Sequence, residues 1–201
     1  MSSNVIQKLR EYFERFPGIG PRQAQRFVYW LLSEEPQFIN ELAGLLLELK
    51  KGTKQCKECF RFYTSSECRI CRDTNRDNSR LLVVEKDVDL ENIEKTGVYN
   101  GRYFVLGDIV PLGQTLPKNI RLKELFNRLE QEAKNGLKEI ILAFSATAEG
   151  DNTIRYLEKI LEPLAKKYSV KISRFGRGLS TGTELEYIDR DTLKNALENR
   201  K

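Results

Sequence analysis

Four cysteines within one short segment form the most specific chemical pattern in this 201-residue chain. They form two Cys-x-x-Cys pairs separated by eight residues: Cys56, Cys59, Cys68 and Cys71. Each pair can place two thiolates on one small turn, and two such turns can close a tetrahedron of sulfur ligands around zinc. Because zinc is redox-silent and accepts soft thiolate ligands, the pattern predicts one structural zinc ion per chain.

Two disulfides or an iron–sulfur cluster are the alternative uses of these cysteines. Disulfides are disfavoured because the N-terminus alternates charged and apolar side chains and does not have the pattern of an export signal. We therefore expect a cytoplasmic protein, and no membrane span, since the longest apolar run is Leu42–Leu47. A catalytic zinc is disfavoured because four thiolates leave no open position for water. The chain has no histidine, which excludes Ser-His-Asp and Cys-His nucleophiles and any imidazole base.

A second pattern is the sequence FPGIGPRQAQR at residues 16–26. Gly18 and Gly20 allow a tight turn that presents backbone N–H groups at the start of the next helix, where an anion binds well. Arg22 and Arg26 follow four residues apart and therefore share one face of that helix. The pattern is typical of a helix-hairpin-helix that binds nucleic-acid backbone; the alternative is a turn that only joins two packed helices.

The positive charge of the chain is concentrated near the cysteines. The net charge is +5, and residues 50–80 alone carry nine Lys or Arg against four Asp or Glu. A basic segment favours a polyanionic partner, although it can also be a solvated lysine-rich surface. We expect Lys50, Lys51 and Lys54 to assist the hairpin in contacting DNA phosphates independently of base sequence.

The elements that must position these residues change in type along the chain. The first fifty residues have the helical spacing of apolar side chains, broken at Pro17-Gly18. From Leu81 onward, short apolar strands alternate with amphipathic helices, which predicts a mostly parallel sheet covered by helices. The predicted strands have the sequences LLVV, YFVL, EIILAF, VKIS and LEYI. The predicted fold class is α/β with an N-terminal helical region.

Taken together, these stretches closely resemble the bacterial RecR family of recombination mediators along the whole chain. The resemblance is carried by FPGIGPRQAQR, the four-cysteine spacing, LLVVEKDVDLENIEKTGVYNGRYFVLG, EIILAFSATAEGDNT and RFGRGLSTGTELEYIDRDTL. It implies a helix-hairpin-helix DNA-binding region at 1–53 and a four-cysteine zinc finger at 54–78. It also implies a Toprim domain with a mostly parallel sheet at 79–175 and a C-terminal strand-helix tail for oligomerisation at 176–201.

The same resemblance implies a non-enzymatic role in DNA repair. Members of the family act with RecO and RecF to load the RecA recombinase onto gapped single-stranded DNA, and several copies assemble into a ring-like clamp. The implied partners are therefore single- and double-stranded DNA, RecO, RecF and further copies of the chain, at the nucleoid in the cytoplasm. The chain departs from the usual family sequence at 107–113, 145–151 and 178–183, which lie in the Toprim and tail regions.

The alternative function is a small Toprim enzyme, such as a primase or nuclease fragment, that transfers phosphoryl groups with Mg²⁺. Such enzymes need a carboxylate after the first strand and an Asp-x-Asp pair after a later strand to bind the metal. Glu85 occupies the first position, but Ser145 and Thr147 occupy the positions of the two aspartates. Glu149 and Asp151 follow, so Glu85, Glu149 and Asp151 could form a weak Mg²⁺ site or a partner contact. We expect no enzymatic activity.

Overall fold

The computed structural model describes residues 4–113, 115–179 and 181–198. The chain divides into two compact units, of which the first ends at Thr53 and the second begins at Lys54. No helix among the described residues combines the length and apolar character needed to cross a membrane. Predictions that fall on residues 1–3, 114, 180 and 199–201 lie outside the described residues.

The described part of the first unit is helical, as the spacing of its apolar residues predicts. Its helices are α1 (Val5–Phe13), α2 (Pro21–Ser33) and α3 (Pro36–Gly52). Proline stands at the first position of α2 and of α3, where its fixed φ suits a helix start and its missing N–H is not needed. Phe13 of α1 packs edge-to-face on Phe27 of α2, with 5.7 Å between the ring centroids.

The second unit begins with a small module that contains all four cysteines. It comprises β1 (Lys54–Gln55), β2 (Phe62–Tyr63) and the single-turn helix α4 (Arg69–Arg72). The two short strands pair antiparallel, with Lys54 opposite Tyr63 and Gln55 opposite Phe62. We call residues 54–72 the cysteine module.

A parallel four-stranded sheet follows the cysteine module. Its strands are β3 (Asp77–Val84), β4 (Gly101–Val105), β5 (Glu139–Ala143) and β6 (Lys171–Arg174), in the order β4-β3-β5-β6. The connecting helices are α5 (Asp87–Thr96), α6 (Leu122–Lys134) and α7 (Ala148–Tyr168). Every pairing in this sheet is parallel, so the predicted alternation of strands and helices and the α/β fold class are confirmed.

The core of the second unit has one layer on each face of this sheet. On one face, Leu81 and Val83 of the central strand pack against α6 and α7. On the opposite face, Leu82 and Val84 pack against Leu90 of α5 and against the four cysteines. Because successive strand residues point to opposite faces, the continuous apolar run LLVV is buried on both sides. The cysteine module therefore covers part of this second face of the sheet.

One predicted strand is wrong. The sequence LEYI at 185–188 forms a short 3-10 turn over Leu185–Tyr187, and helix α8 (Arg190–Glu198) follows it. The side chains of Leu185 and Tyr187 are 73% and 77% exposed. Alternation of apolar residues forms a strand only where a neighbouring sheet edge buries one face, and these two side chains have no such cover.

Candidate metal centre and nucleic-acid-binding residues

The four cysteine side chains converge on one buried point. Their Sγ atoms all lie within 4.8 Å of one another, and no cysteine is more than 8% exposed. The Sγ–Sγ distance is 3.7 Å for Cys56 and Cys71 and also for Cys59 and Cys68. Sulfurs bound to a tetrahedral zinc at about 2.3 Å lie about 3.8 Å apart. The four cysteines therefore form one group that is able to hold a metal ion, as their spacing predicts.

The first Cys-x-x-Cys turn is fixed by its own backbone. The N–H of Phe60 donates to the C=O of Cys56 at 3.0 Å, and the N–H of Cys56 donates to the C=O of Arg61 at 2.9 Å. Phe60 has a φ of 62°, a left-handed conformation that is unusual for a bulky residue. Its ring packs on Phe104 of β4 at 5.3 Å between centroids, and this contact holds the turn in place.

Hydrogen bonds attach the cysteine module to strand β4 and to helix α5. The N–H of Val105 donates to the C=O of Cys59 at 2.8 Å, and the guanidinium of Arg102 donates to the C=O of Cys71 at 2.6 Å. The N–H of Phe62 donates to the carboxylate of Asp87 at 2.7 Å. Both halves of the metal site are therefore anchored to the same strand, β4.

The thiols strongly influence one another because they are crowded and buried. A hydrogen bond to Cys68 raises the pKa of Cys59 far above its ordinary value, and burial raises it further. The same hydrogen bond lowers the pKa of Cys68 far below its ordinary value. The sulfurs are too far apart for disulfide bonds, whose length is about 2.05 Å. A cation at the centre would compensate the negative charge that ionised thiolates would otherwise bring together.

The predicted hairpin lies between α1 and α2. Gly18 has a φ of 77°, which glycine adopts without strain, and Gly20 is the N-cap residue of α2 with an extended backbone. Arg22 and Arg26 are exposed and line one shallow surface depression together with Tyr29. Neither arginine forms an ion pair within the described residues, so both guanidinium groups are available to an external anion.

The three lysines expected to assist the hairpin are all exposed. Lys50 and Lys51 belong to the last turn of α3, whereas Lys54 begins β1 in the second unit. Their proposed contact with DNA stays a prediction.

Two of the three acidic residues of the expected weak Mg²⁺ site pair with basic side chains. Glu85 follows β3, is buried, and pairs with the Nζ atom of Lys86 at 2.8 Å. Glu149 and Asp151 lie in the first turn of α7, where Asp151 pairs with the guanidinium of Arg177. Among the described residues, the four cysteines are the group that gathers three or more metal-binding side chains.

The residues at the two aspartate positions serve the start of α7. The hydroxyl of Thr147 accepts a hydrogen bond from the N–H of Gly150 at 3.1 Å and so caps the helix. A Cβ atom at Gly150 would lie only 2.0 Å from the C=O of Ser145. Only glycine fits at position 150. Its missing side chain allows the segment after β5 to pack closely against the start of α7.

Sequence reasoning missed the arginines that support the centre. Arg102 reaches the cysteine module, and Arg128 of α6 is held by Glu132 at 2.8 Å and donates to the C=O of Tyr103 at 3.2 Å. The carbonyl partners of Arg102 and Arg128 lie 31 and 25 residues away along the chain, so no local pattern signals these two contacts.

Comparison with known families assigns three regions of the chain. Residues 6–50 match the RecR helix-hairpin-helix, residues 79–176 match the Toprim domain, and residues 178–201 match the RecR C-terminal region.

Curated relatives called Recombination protein RecR align over nearly the full length of both chains. The protein of Chloroherpeton thalassium is 42% identical over 99% of this chain and 97% of its own length. The proteins of a Nocardioides species and of Acidothermus cellulolyticus are 40% and 39% identical over 100% of this chain and 98% of their own length. The chain therefore belongs to the RecR family of recombination proteins.

Proposed function

We propose that this protein is a non-enzymatic mediator of recombinational DNA repair that binds DNA and recruits partner proteins. In this role it acts with RecO and RecF to load the RecA recombinase onto gapped single-stranded DNA, at the nucleoid in the bacterial cytoplasm. Membership of the RecR family supports this role. The observation that carries the DNA-binding part is the pair of exposed arginines that directly follows the hairpin and has no ion pair within the described residues.

The hairpin is suited to phosphate groups and not to base edges. Backbone N–H groups and long cationic side chains bind phosphates, whereas Arg22 and Arg26 at a helix start are not arranged to read a base pair. Lys50, Lys51 and Lys54 add positive charge for sequence-independent DNA binding. A single hairpin makes few contacts, so one chain binds DNA weakly, and several chains in one assembly bind more tightly through multivalency.

Assembly into a ring-like homo-oligomer is supported by exposed apolar side chains in both units. In α3, four leucines are each more than half exposed: Leu45, Leu46, Leu47 and Leu49. In the C-terminal region, Leu185, Tyr187 and Leu197 are also more than half exposed. Large apolar side chains that are exposed in the single chain favour burial against another protein chain.

The metal in the cysteine cluster is zinc, with a structural role. Four thiolates at tetrahedral spacing around one point suit a single ion, whereas the ligands of a multi-iron cluster bind separate iron atoms. The closed ligand set leaves no position for water or substrate, so the ion supplies folding energy and not chemistry.

A non-enzymatic role is supported by the residues that replace the catalytic carboxylates of Toprim enzymes. Ser145 and Thr147 carry no carboxylate, and Asp151 is engaged by Arg177. Toprim phosphoryl transfer needs carboxylates that are free to hold Mg²⁺.

The test is an assay of nicking, nuclease activity and primer synthesis with Mg²⁺ or Mn²⁺, run on the purified chain and on its Glu85→Gln variant. We expect no metal-dependent reaction by either protein and nearly equal DNA affinity for both. Strand cleavage or synthesis that disappears in Glu85→Gln would show that the protein is a Toprim enzyme.

A further inference from the structure

A small recessed cavity lies between the cysteine module and α5, apart from the metal centre. Its volume is about 270 Å³. Arg61, Arg69 and Ile70 line it from the module, and Leu90 and Lys95 line it from α5. None of the four cysteines lines this cavity. A space of this size is smaller than the usual site of a drug-sized ligand and suits one small chemical group.

Arg61 makes this cavity unusual. Its side chain is only 7% exposed, forms no ion pair or hydrogen bond among the described residues, and has a buried Nη1 atom without a partner. The other arginines with well-buried head groups have carboxylate partners, since Arg76 pairs with Glu94 and Arg128 pairs with Glu132. A buried guanidinium without a counter-charge is costly, and the cost is removed when an anion binds beside it.

The charges around the cavity favour a doubly charged anion. Arg69 and Lys95 lie at its exposed rim, and neither forms an ion pair within the described residues. Two carboxylates also face the cavity. Glu94 is paired with Arg76, so Glu91 is the carboxylate without an ion pair among the described residues that line the cavity. Three cations against one uncommitted carboxylate leave an excess of two positive charges. A phosphate dianion matches that excess, whereas a single carboxylate group would compensate only half of it.

We propose that this cavity binds a single phosphate group, either as free inorganic phosphate or as part of a small phosphorylated metabolite. The planar guanidinium of Arg61 offers two parallel donors to the phosphate oxygens. The apolar walls formed by Ile70 and Leu90 shield these hydrogen bonds from water and strengthen them. Because Arg61 is recessed, a small anion reaches it more readily than the phosphates of a continuous DNA backbone.

A bound phosphate would connect two parts of the second unit. Arg61 and Arg69 belong to the cysteine module, and Lys95 belongs to the last turn of α5. The ligand would therefore add to the existing attachment between them, in which the N–H of Phe62 donates to Asp87. Phosphate should stabilise the docked cysteine module without changing the metal ligands.

The test is calorimetric titration of the zinc-loaded full chain with inorganic phosphate at constant ionic strength. We expect Arg61→Gln to weaken phosphate binding about tenfold or more, since it removes a charge-assisted hydrogen-bonding group. Lys95→Gln at the exposed rim should weaken binding severalfold without disturbing the fold. Arg72→Gln is the matched control, because it removes the same charge from an exposed position of the module outside the cavity.

A second arm distinguishes the two sources of phosphate. Adenosine monophosphate that binds more tightly than inorganic phosphate would indicate a phosphorylated metabolite, and equal or weaker binding would indicate the free ion.

Equal binding of phosphate by the parent, Arg61→Gln and Lys95→Gln, or no binding at millimolar phosphate, would overturn the proposal. Displacement of the phosphate by an oligonucleotide would also overturn it, because the cavity would then be a nucleic-acid contact. If Arg61→Gln lost zinc while Lys95→Gln bound phosphate like the parent, Arg61 would serve the thiolate centre and not an anion site.

Discussion

Replacement of Cys59 by serine should remove the metal and destabilise the second unit as a whole. Cys59 is completely buried, and its Sγ lies 3.7 Å from that of Cys68. Zinc binding contributes roughly 10–16 kcal/mol in small zinc-dependent domains, so the share of one ligand in four, about 2.5–4 kcal/mol, is the least that the substitution should cost. A domain is typically stable by only about 5–15 kcal/mol, so this loss is a large part of the total.

The loss should extend beyond the cysteine module. The cysteines share a core layer with Leu82, Val84 and Leu90, and a loosened module would leave this side of the sheet partly uncovered. We therefore expect a lower urea midpoint for the whole second unit, together with reduced solubility. In contrast, if the metal centre stabilised only its own module, loss of the metal would destabilise residues 54–72 alone.

The assay combines metal analysis with urea unfolding followed by circular dichroism. The parent should contain one zinc ion per chain, and Cys59→Ser should contain much less than one. Ser66→Ala is the control, since this exposed residue of the same module should change stability by no more than about 0.5 kcal/mol. Iron in the parent, soluble folded parent without metal, or a Cys59→Ser variant as stable as the parent would refute the reasoning.

Two further substitutions test the contacts of Asp77 in β3 and of Gly150 in α7. Hydrogen bonds from the hydroxyl and N–H of Ser79, with the ion pair to Arg80, lower the pKa of Asp77 from 3.8 to about 2. This carboxylate therefore stabilises the fold above pH 3.8, and the effect is lost as the pH falls toward 2. Asp77→Asn should therefore be less stable than the parent at pH 7. Chemical unfolding at several pH values should show that this difference in stability disappears as the pH falls from 3.8 toward 2. A difference that stays constant with pH would contradict the stabilising role of the Asp77 carboxylate. Gly150→Ala should cost about 1–3 kcal/mol in thermal unfolding, because its Cβ would meet the C=O of Ser145 at 2.0 Å. Gly44→Ala, with no atom within 4 Å of its Cβ, is the control and should be neutral or stabilising, and equal effects of the two substitutions would argue against tight packing at Gly150.

The predictions that proved correct depend on short-range patterns. The four cysteines are close in sequence, so their spacing alone defines a metal-binding group. The run LLVV is apolar at every position because both faces of its strand are covered, and that is visible without knowing what covers them. The hairpin glycine with positive φ is likewise a local requirement.

The features that were missed depend on interactions between distant parts of the chain. LEYI alternates like a strand, yet its apolar residues remain exposed because no sheet edge covers them. Arg102 binds the C=O of Cys71, 31 residues earlier in the chain, and nothing in its immediate sequence indicates this hydrogen bond. Arg61 appears in the sequence as one more surface cation, and only the fold shows that it is buried without a partner.

The most direct test of the proposed DNA-binding role is the salt dependence of DNA affinity for the parent and for the double variant Arg22→Ala/Arg26→Ala. Fluorescence anisotropy with several unrelated sequences, single- and double-stranded, gives both the affinity and its salt slope. The control, Lys118→Ala/Lys123→Ala, removes the same charge from exposed positions for which we propose no DNA contact.

We expect the hairpin variant to bind all sequences more weakly, while it keeps the fold and assembly of the parent. The slope of log affinity against log salt should decrease by about 0.7–0.9 for each DNA phosphate that the variant no longer neutralises. If the folded double variant had the affinity and salt slope of the parent, the hairpin would be only a joint between two helices, and the central claim would be wrong.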